Sequence, residues 1–469
     1  MNEISIIGGG LSGLYFAYRM TKENTNLAPT IHIYEKMKHF GGRILSQYDK
    51  DGSLLYEAGP WRISTHHKRV LSLVHDLGLT LRQVKQPIQK KGFKHKKYSS
   101  TTGIKIPNTN QVTEYQYRCM TGNSVEMVNE DMMKTGYDML YERANTTRSY
   151  SLRKTHEDED DFFVVEEGFA EIIKRLEEEL KKKSNVFFHL ETRTENIEFN
   201  GKYYILQNQK RLDSKTFQQE KHKTKNLIIA IPPHEMRGWI SLTIHPNMEM
   251  VSSYPLIHVY GLVENFTQEN KKFICNSPLS QVISSCYHND WIQLSYSGGR
   301  FARLLQNLVI ESKKTFEKYI KTEFLSYFPN VLVKKIVPHF WRHAVHYWKP
   351  NLKAKENELK EKCIHPHPTK YKNLYWIGES ISSVQGWMEG ALQTSEDVLE
   401  LYQKKQKVKK KLPKEYVIYD GRILNVEKWK EQHPGGKNLI ENHLKEDITE
   451  LWNSFHSKDA SRYLPLLEI

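Results

Sequence analysis

Glu3-Ile4-Ser5-Ile6-Ile7 runs straight into Gly8-Gly9-Gly10-Leu11-Ser12-Gly13, and this junction decides the fold. Apolar residues rich in β-branching and ending on glycines read as a short buried strand. An apolar helical pattern follows to about Met20, and a second strand-like run, Ile31-His32-Ile33-Tyr34, ends at Glu35 and Lys36. Strand, glycine turn, helix, strand is the opening of a doubly wound α/β sheet. In that turn Gly8 permits the tight bend, Gly10 lets the backbone approach a pyrophosphate, and Gly13 lets the helix pack against the strand. The backbone N–H groups at Leu11 and Ser12, with the helix dipole, then face the anion. Glu35 stands where a carboxylate can accept both ribose hydroxyls, and an acid there disfavours a ribose 2′-phosphate.

Working outward, the spacing predicts a helix over 66–78, with Val70, Leu71, Val74 and Leu77 on one face. Residues 84–160 are polar and mixed, and are expected to hold helices of an inserted second domain. A helix is expected over 170–183 and strands over 186–190 and 203–207; a buried strand from Asn226 is stopped by Pro232 and Pro233. Strand-like runs follow at 257–263, 281–286 and 291–296, then a helix at 308–327. The dinucleotide-binding part resumes at Leu374-Tyr375-Trp376-Ile377 and closes with a helix to about Gln403. Residues 404–414 hold seven lysines and one proline, and read as a basic linker.

The chain has 469 residues, 38% hydrophobic and 11% aromatic, enough for two or three folded domains. No stretch approaches the roughly 18 apolar residues of a membrane span, and Met1 lies too near the first strand for a signal peptide. A soluble intracellular protein, cytoplasmic by default, is the expectation. The four cysteines (Cys119, Cys275, Cys286 and Cys363) lack CxxC spacing and are expected to be reduced and buried. The net charge is +14 but dispersed, without Arg and Lys interleaved with aromatics, which disfavours a nucleic-acid partner. Residues 415–469 carry seven Lys and Arg against ten Asp and Glu, net −3, leaving +17 on the rest. Such opposite charge favours docking of an acidic tail on a basic body.

After Glu35 comes Gly41-Gly42-Arg43. Near the other end, Gly378-Glu379-Ser380 follows an apolar strand, and Gly386-Trp387-Met388-Glu389-Gly390-Ala391 opens a helix. With these two clusters the chain resembles the flavin-containing amine oxidases, the family of monoamine, polyamine and L-amino-acid oxidases. The resemblance implies FAD rather than NAD, with Gly42 and Arg43 near the pyrophosphate and Glu379 at the ribityl–phosphate region. It also puts the helix start at Gly386, Trp387 and Met388 against the O2 edge of the flavin, where reduced flavin carries negative charge. Glu57-Ala58-Gly59-Pro60-Trp61-Arg62 is similar to the segment that, in L-amino-acid oxidases, passes the flavin and presents an arginine to the substrate carboxylate. Arg62 is therefore either a carboxylate clamp or a partner of the flavin or a nearby acid.

Trp387 matches one wall of the amine oxidases' aromatic cage, and Tyr347 or Trp348 is expected to supply the second; ordinary core aromatics are the alternative. Relatives place a lysine near flavin N5, where this chain offers His258, which makes an acceptor other than O2 more attractive. Cys363 does not resemble the cysteine that anchors flavin in some relatives, so the FAD is expected to be non-covalent.

Tyr416-Val417-Ile418-Tyr419-Asp420-Gly421, then His433-Pro434-Gly435-Gly436, then Phe455-His456-Ser457 resemble the cytochrome b5 family. That resemblance implies haem b, held by His433 and His456 as axial ligands in a closed, electron-transfer site. The module lacks the family's preceding strand and helix, so a shortened relic that folds without haem is the alternative.

The expected fold is thus α/β. A discontinuous doubly wound FAD-binding domain (1–83 and 365–403, taking in parts of 165–233) carries an inserted α+β substrate domain (mainly 84–364). The 404–414 linker leads to a small α+β cytochrome b5-like tail (415–469). The expected reaction is oxidation of an amine or amino-acid C–N bond, with O2 or the tail haem as acceptor. A desaturase-like or porphyrinogen-type flavoenzyme and a non-catalytic flavoprotein are the competing readings.

Overall fold

The computed structural model describes residues 3–23, 29–84, 88–91, 162–236, 239, 245–267, 271–275, 277–349, 356–411 and 413–467. The helices expected within 84–160 and Cys119 fall almost wholly or wholly outside them. Two compact units divide the chain, Met1–Leu399 and Glu400–Ile469.

In the first unit, Glu3–Ile7 is the central strand of a five-stranded parallel sheet, ordered Leu374–Trp376, Asn226–Ile229, Glu3–Ile7, Thr30–Tyr34, Val186–His189. Ile4 and Ile6 are fully buried, each contributing roughly 1.5–3 kcal/mol by leaving water. The sheet therefore draws strands from both ends of the chain and from 186–189 and 226–229. The first helix, Leu11–Glu23, packs with the helix Phe169–Lys181. An antiparallel meander (Thr192–Phe199, Tyr204–Arg211, Phe217–Thr224) meets the sheet at Glu3–Ile7 and Thr30–Tyr34.

A second sheet has the order Leu332–Trp348, Val251–Glu264, Trp291–Gly298, Gln281–Ile283, Lys272–Cys275, Ile88–Lys91. Ile257 and Val259 point into a core closed by Phe316, Ile320 and Phe324. On the other face Tyr260 stacks on Tyr56 at 3.9 Å and packs with Trp291.

Two expectations change here, and one strand was not foreseen. The single helix expected over 308–327 is two, Gly299–Glu311 and Lys313–Tyr327. Ser312 is extended (φ −163°, ψ 121°), and its Oγ accepts the Thr315 N–H at 3.2 Å, capping the second helix. The run read as an aromatic wall is the end of a 17-residue strand, Leu332–Trp348, which bulges opposite Tyr254 and Leu256. The closing helix continues to Lys411, so most of the 404–414 run is helical rather than a loose linker. Lysine is a good helix former, and its charge alone does not end a helix.

In the second unit, Tyr416–Tyr419 and Arg422–Asn425 form a hairpin. Asp420 and Gly421 turn it with φ of 48° and 72°, the signature of a type I′ turn. Val417, Leu424, Val426, Trp452 and Leu464 make a small core beneath the short helices Lys437–Glu441, Thr449–Phe455 and Leu464–Leu467. Among the described residues no helix is long and apolar enough to cross a membrane.

Candidate functional site

The glycine turn behaves as its chemistry requires. Gly8 has φ +108°, and a Cβ there would lie 2.6 Å from the Ala230 carbonyl oxygen; a Cβ on Gly13 would lie 2.1 Å from that of Gly8. Nothing stands within 4 Å of a Cβ built on Gly10, so the turn is open at the one position meant to receive a phosphate. Leu11 begins the helix, and Ser12 is buried against the closing helix, its carbonyl accepting the Ser395 hydroxyl. Glu35 is buried and accepts the N–H groups of Gly9 (2.8 Å) and Met37 (2.9 Å), fixing the turn from below. Lys36 instead pairs with Glu235 at 2.6 Å.

Three distant segments meet at Glu379. The Arg43 guanidinium donates to its carboxylate (2.8 Å) and to the Ala344 carbonyl (2.7 Å). Gly386 N–H (2.6 Å), His346 N–H (3.3 Å) and His346 Nδ1 (3.0 Å) also meet it. Although burial opposes it, the Arg43 charge first, then His346, holds the Glu379 carboxyl far below the usual range. Gly42 (φ +60°) lies beside Gly10, and Gly59 packs so tightly on Arg43 that a Cβ would sit 2.2 Å from its carbonyl oxygen. His346 Nε2 and Trp348 Nε1 are buried with no hydrogen-bond partner among the described residues. An open phosphate turn, a ribose-ready acid and an anchored arginine fit a flavin dinucleotide.

After Pro60, Arg62 stacks over Phe162 (4.1 Å), Trp61 (4.8 Å) and Trp387 (5.9 Å). Trp387, ahead of the helix that begins at Met388, meets His67 edge-on at 4.6 Å. Burial, then His66 and Arg62, brings His67 down to about 4, so its ring is neutral. The structure thus joins Arg62 and Trp387, while the described ring neighbour of Tyr347 is Tyr254, 6.3 Å away. His258 is buried between Tyr296 and Tyr260, its Nδ1 unpartnered. Burial, helped by His339, lowers it to about 3.

Sequence reasoning missed His67, His346 and Glu57. Glu57 is fully buried, pushed up to about 8 by desolvation, and caps the Phe169 helix by accepting its first N–H at 2.8 Å. Gly168 leaves that cap empty, so an acid far away in sequence supplies it. Cys275 and Cys363 are buried, and burial raises Cys286 to about 11 and Cys363 to about 12.

In the tail, the His433 and His456 rings stand 5.9 Å apart, centre to centre. With metal–imidazole bonds of about 2.0–2.1 Å, two rings at this separation could hold one ion between them. His433 Nδ1 faces the Gly436 carbonyl at 3.4 Å, which leaves Nε2 for a metal. His456 stacks on Trp452 at 4.0 Å, and burial lowers its pKa, favouring the neutral ligand form. Leu439 (55% exposed), which flanks Gly435 with His433, and Phe455 (81%) expose apolar surface that a haem would cover. These residues fit a haem.

The flavin containing amine oxidoreductase pattern matches residues 11–133 and 132–398. The chain belongs to that family. A cytochrome b5-like haem/steroid binding domain follows at 399–469. The flavin containing amine oxidoreductase unit is also similar in fold to two solved structures. One is provisionally named protoporphyrinogen oxidase, from Exiguobacterium sp. 255-15 (14% identity, TM-score 0.61). The other is a double mutant of putrescine oxidase redesigned in cofactor binding (12% identity, TM-score 0.58). Each alignment covers 86% of this chain and 99% of the other. The amine oxidoreductase family implies FAD, and the tail domain implies haem. The protein is an FAD-dependent oxidoreductase.

Proposed function

We propose that this oxidoreductase breaks a C–H bond next to the nitrogen of a carboxylate-bearing amine, an amino acid in the simplest case, and passes the electrons to its own haem-binding tail. The observation that carries the substrate reading is the stacking of Arg62 among Phe162, Trp61 and Trp387. Cation–π attraction to these rings holds the guanidinium in place, and its planar N–H groups are the kind of donor that suits a carboxylate. Trp387 forms one wall beside it, and neutral His67 adds no second cation to repel a protonated amine before it loses its proton. By resemblance, His258, which is buried and neutral, stands in for the relatives' lysine, and Tyr347 is the remaining candidate for an opposite wall.

Bound FAD supplies a two-electron acceptor, held by the Gly8–Gly13 turn, Glu35, Arg43 and Glu379. Haem, which His433 and His456 would hold, would supply a one-electron carrier.

The test is anaerobic addition of amino acids, simple amines and a porphyrinogen while following flavin absorbance. Amino acids should bleach the flavin. Arg62→Ala should cut kcat/KM for them by about 10–150-fold, the worth of a charge-assisted contact of about 1.5–3 kcal/mol, and should spare simple amines. Bleaching by the porphyrinogen alone, or equal losses for both amine classes, overturns the substrate reading.

A further inference from the structure

We infer that Glu3, His32 and His222 form a binding site for a borderline divalent cation of the Zn2+ type, with His189 as the outer partner of His32. The site lies on the face of the parallel sheet that meets the meander. Glu3 opens the first strand, His32 lies in the second, and His222 comes from the last meander strand. One ligand atom from each falls within 4.8 Å of the others, and all three residues are half-buried. Zinc ligands at about 2.0–2.1 Å from a shared ion stand somewhat closer together than that, a gap that side-chain torsions close. Among the described residues no other trio of His, Cys, Asp or Glu gathers this tightly.

The surroundings favour a metal over a casual polar cluster. His32 Nδ1 and His189 Nε2 are 3.0 Å apart. If His32 Nδ1 carries the proton and donates it there, Nε2 is left as the ligand, oriented as metal-bound imidazoles are by an outer hydrogen bond. The rings are held by stacking: His32 on Phe187 (5.1 Å), His189 on Tyr34 (4.4 Å) and His222 against His32 (4.7 Å). Glu3 and His222 Nε2 share a hydrogen bond of 2.5 Å, whose proton the cation would have to replace. Two imidazoles and one carboxylate suit Zn2+, Co2+ or Ni2+, and not Mg2+ or Ca2+, which take oxygen ligands. The cation would fasten residues 3, 32 and 222 together, at the opposite end of the first strand from Gly8.

Co2+ titration of the full-length, FAD- and haem-loaded protein tests this through the visible ligand-field band of cobalt. The expected result is one equivalent of Co2+ per chain, displaced by Zn2+. His189→Gln should weaken binding by about 10–100-fold, the usual effect of losing an outer partner. His32→Gln combined with His222→Gln should abolish the band, while His433→Ala leaves it intact. Retained FAD reports that each variant has folded. If the double variant loses FAD, Glu3→Gln and His189→Gln carry the comparison. No band in the wild type at millimolar Co2+, or a band that survives in the folded double variant or is unmoved by both single changes, overturns the site.

Discussion

Gly10→Ala separates cofactor binding from folding more cleanly than any other change in the glycine turn. A Cβ at Gly10 meets nothing within 4 Å, whereas one at Gly13 would strike the Gly8 carbonyl oxygen at 2.1 Å. Gly10 is also outside the positive-φ region, so alanine fits its backbone. Where backbone geometry is compatible, glycine to alanine stabilises by about 0.4–1 kcal/mol through the unfolded chain. The apo variant should therefore melt no lower than wild type. If the cofactor's pyrophosphate lies at this turn, the same methyl stands in its way. Loss of one charge-assisted N–H contact, about 1.5–3 kcal/mol, corresponds to roughly 10–150-fold in affinity. Titrating apo-protein with FAD, followed by flavin fluorescence quenching, gives Kd directly, and thermal melting of the apo forms gives the control. An unchanged Kd would refute the placing of the pyrophosphate at this turn. A drop in the apo Tm would refute the claim that the space over Gly10 is open.

Glu57→Gln tests the buried cap. A carboxyl raised from 4.5 to about 8 binds more protons folded than unfolded, so the wild type should lose stability as pH rises between those values. The loss should reach up to about 5 kcal/mol at 1.36 kcal/mol per unit. Glutamine keeps an acceptor for the Phe169 N–H and has no such loss, so denaturation curves of the two proteins should converge at pH 5 and diverge by pH 9. Parallel curves would sink the argument. His456→Ala should remove the haem Soret band and abolish haem reduction in stopped flow while flavin reduction by substrate keeps its rate. Haem that stays oxidised in the wild type, while oxygen consumes reduced flavin at the full turnover rate, rules out the relay.

The glycine turn, Glu35 and the Gly386 helix start were legible because each needs an unusual backbone or a charge at a fixed offset from one. His433 and His456 were named only through the resemblance of their motifs to the cytochrome b5 family. The break at Ser312 was not, because a serine in a polar run looks the same on a helix surface as at a cap. The strand Leu332–Trp348 hid behind its lysines and histidines: a partly exposed strand with a bulge keeps no clean two-residue alternation. Glu57 gave no signal, since its partners Ser46 and Phe169 are set by tertiary folding. Tyr347 and Trp387 were paired by analogy, but the described contacts of Trp387 run to His67 and Arg62, through the turn after Pro60.

The order of strands in the parallel sheet has a consequence for how the protein is made. Its outer strand, Leu374–Trp376, pairs with Asn226–Ile229, which in turn pairs with Glu3–Ile7. A ribosome adding about 5–20 residues per second delivers the first strand roughly 11–45 s before its neighbour at 226. The last strand follows after a further 7–30 s or so. Throughout that time the nascent chain carries a β-branched apolar strand with an open edge, the kind of surface that recruits other chains. Glu379 and Gly386 emerge later still, so the flavin cannot be gripped from both sides until the first unit is nearly complete. Expression yield should therefore depend on chaperone supply during translation more than on flavin supply.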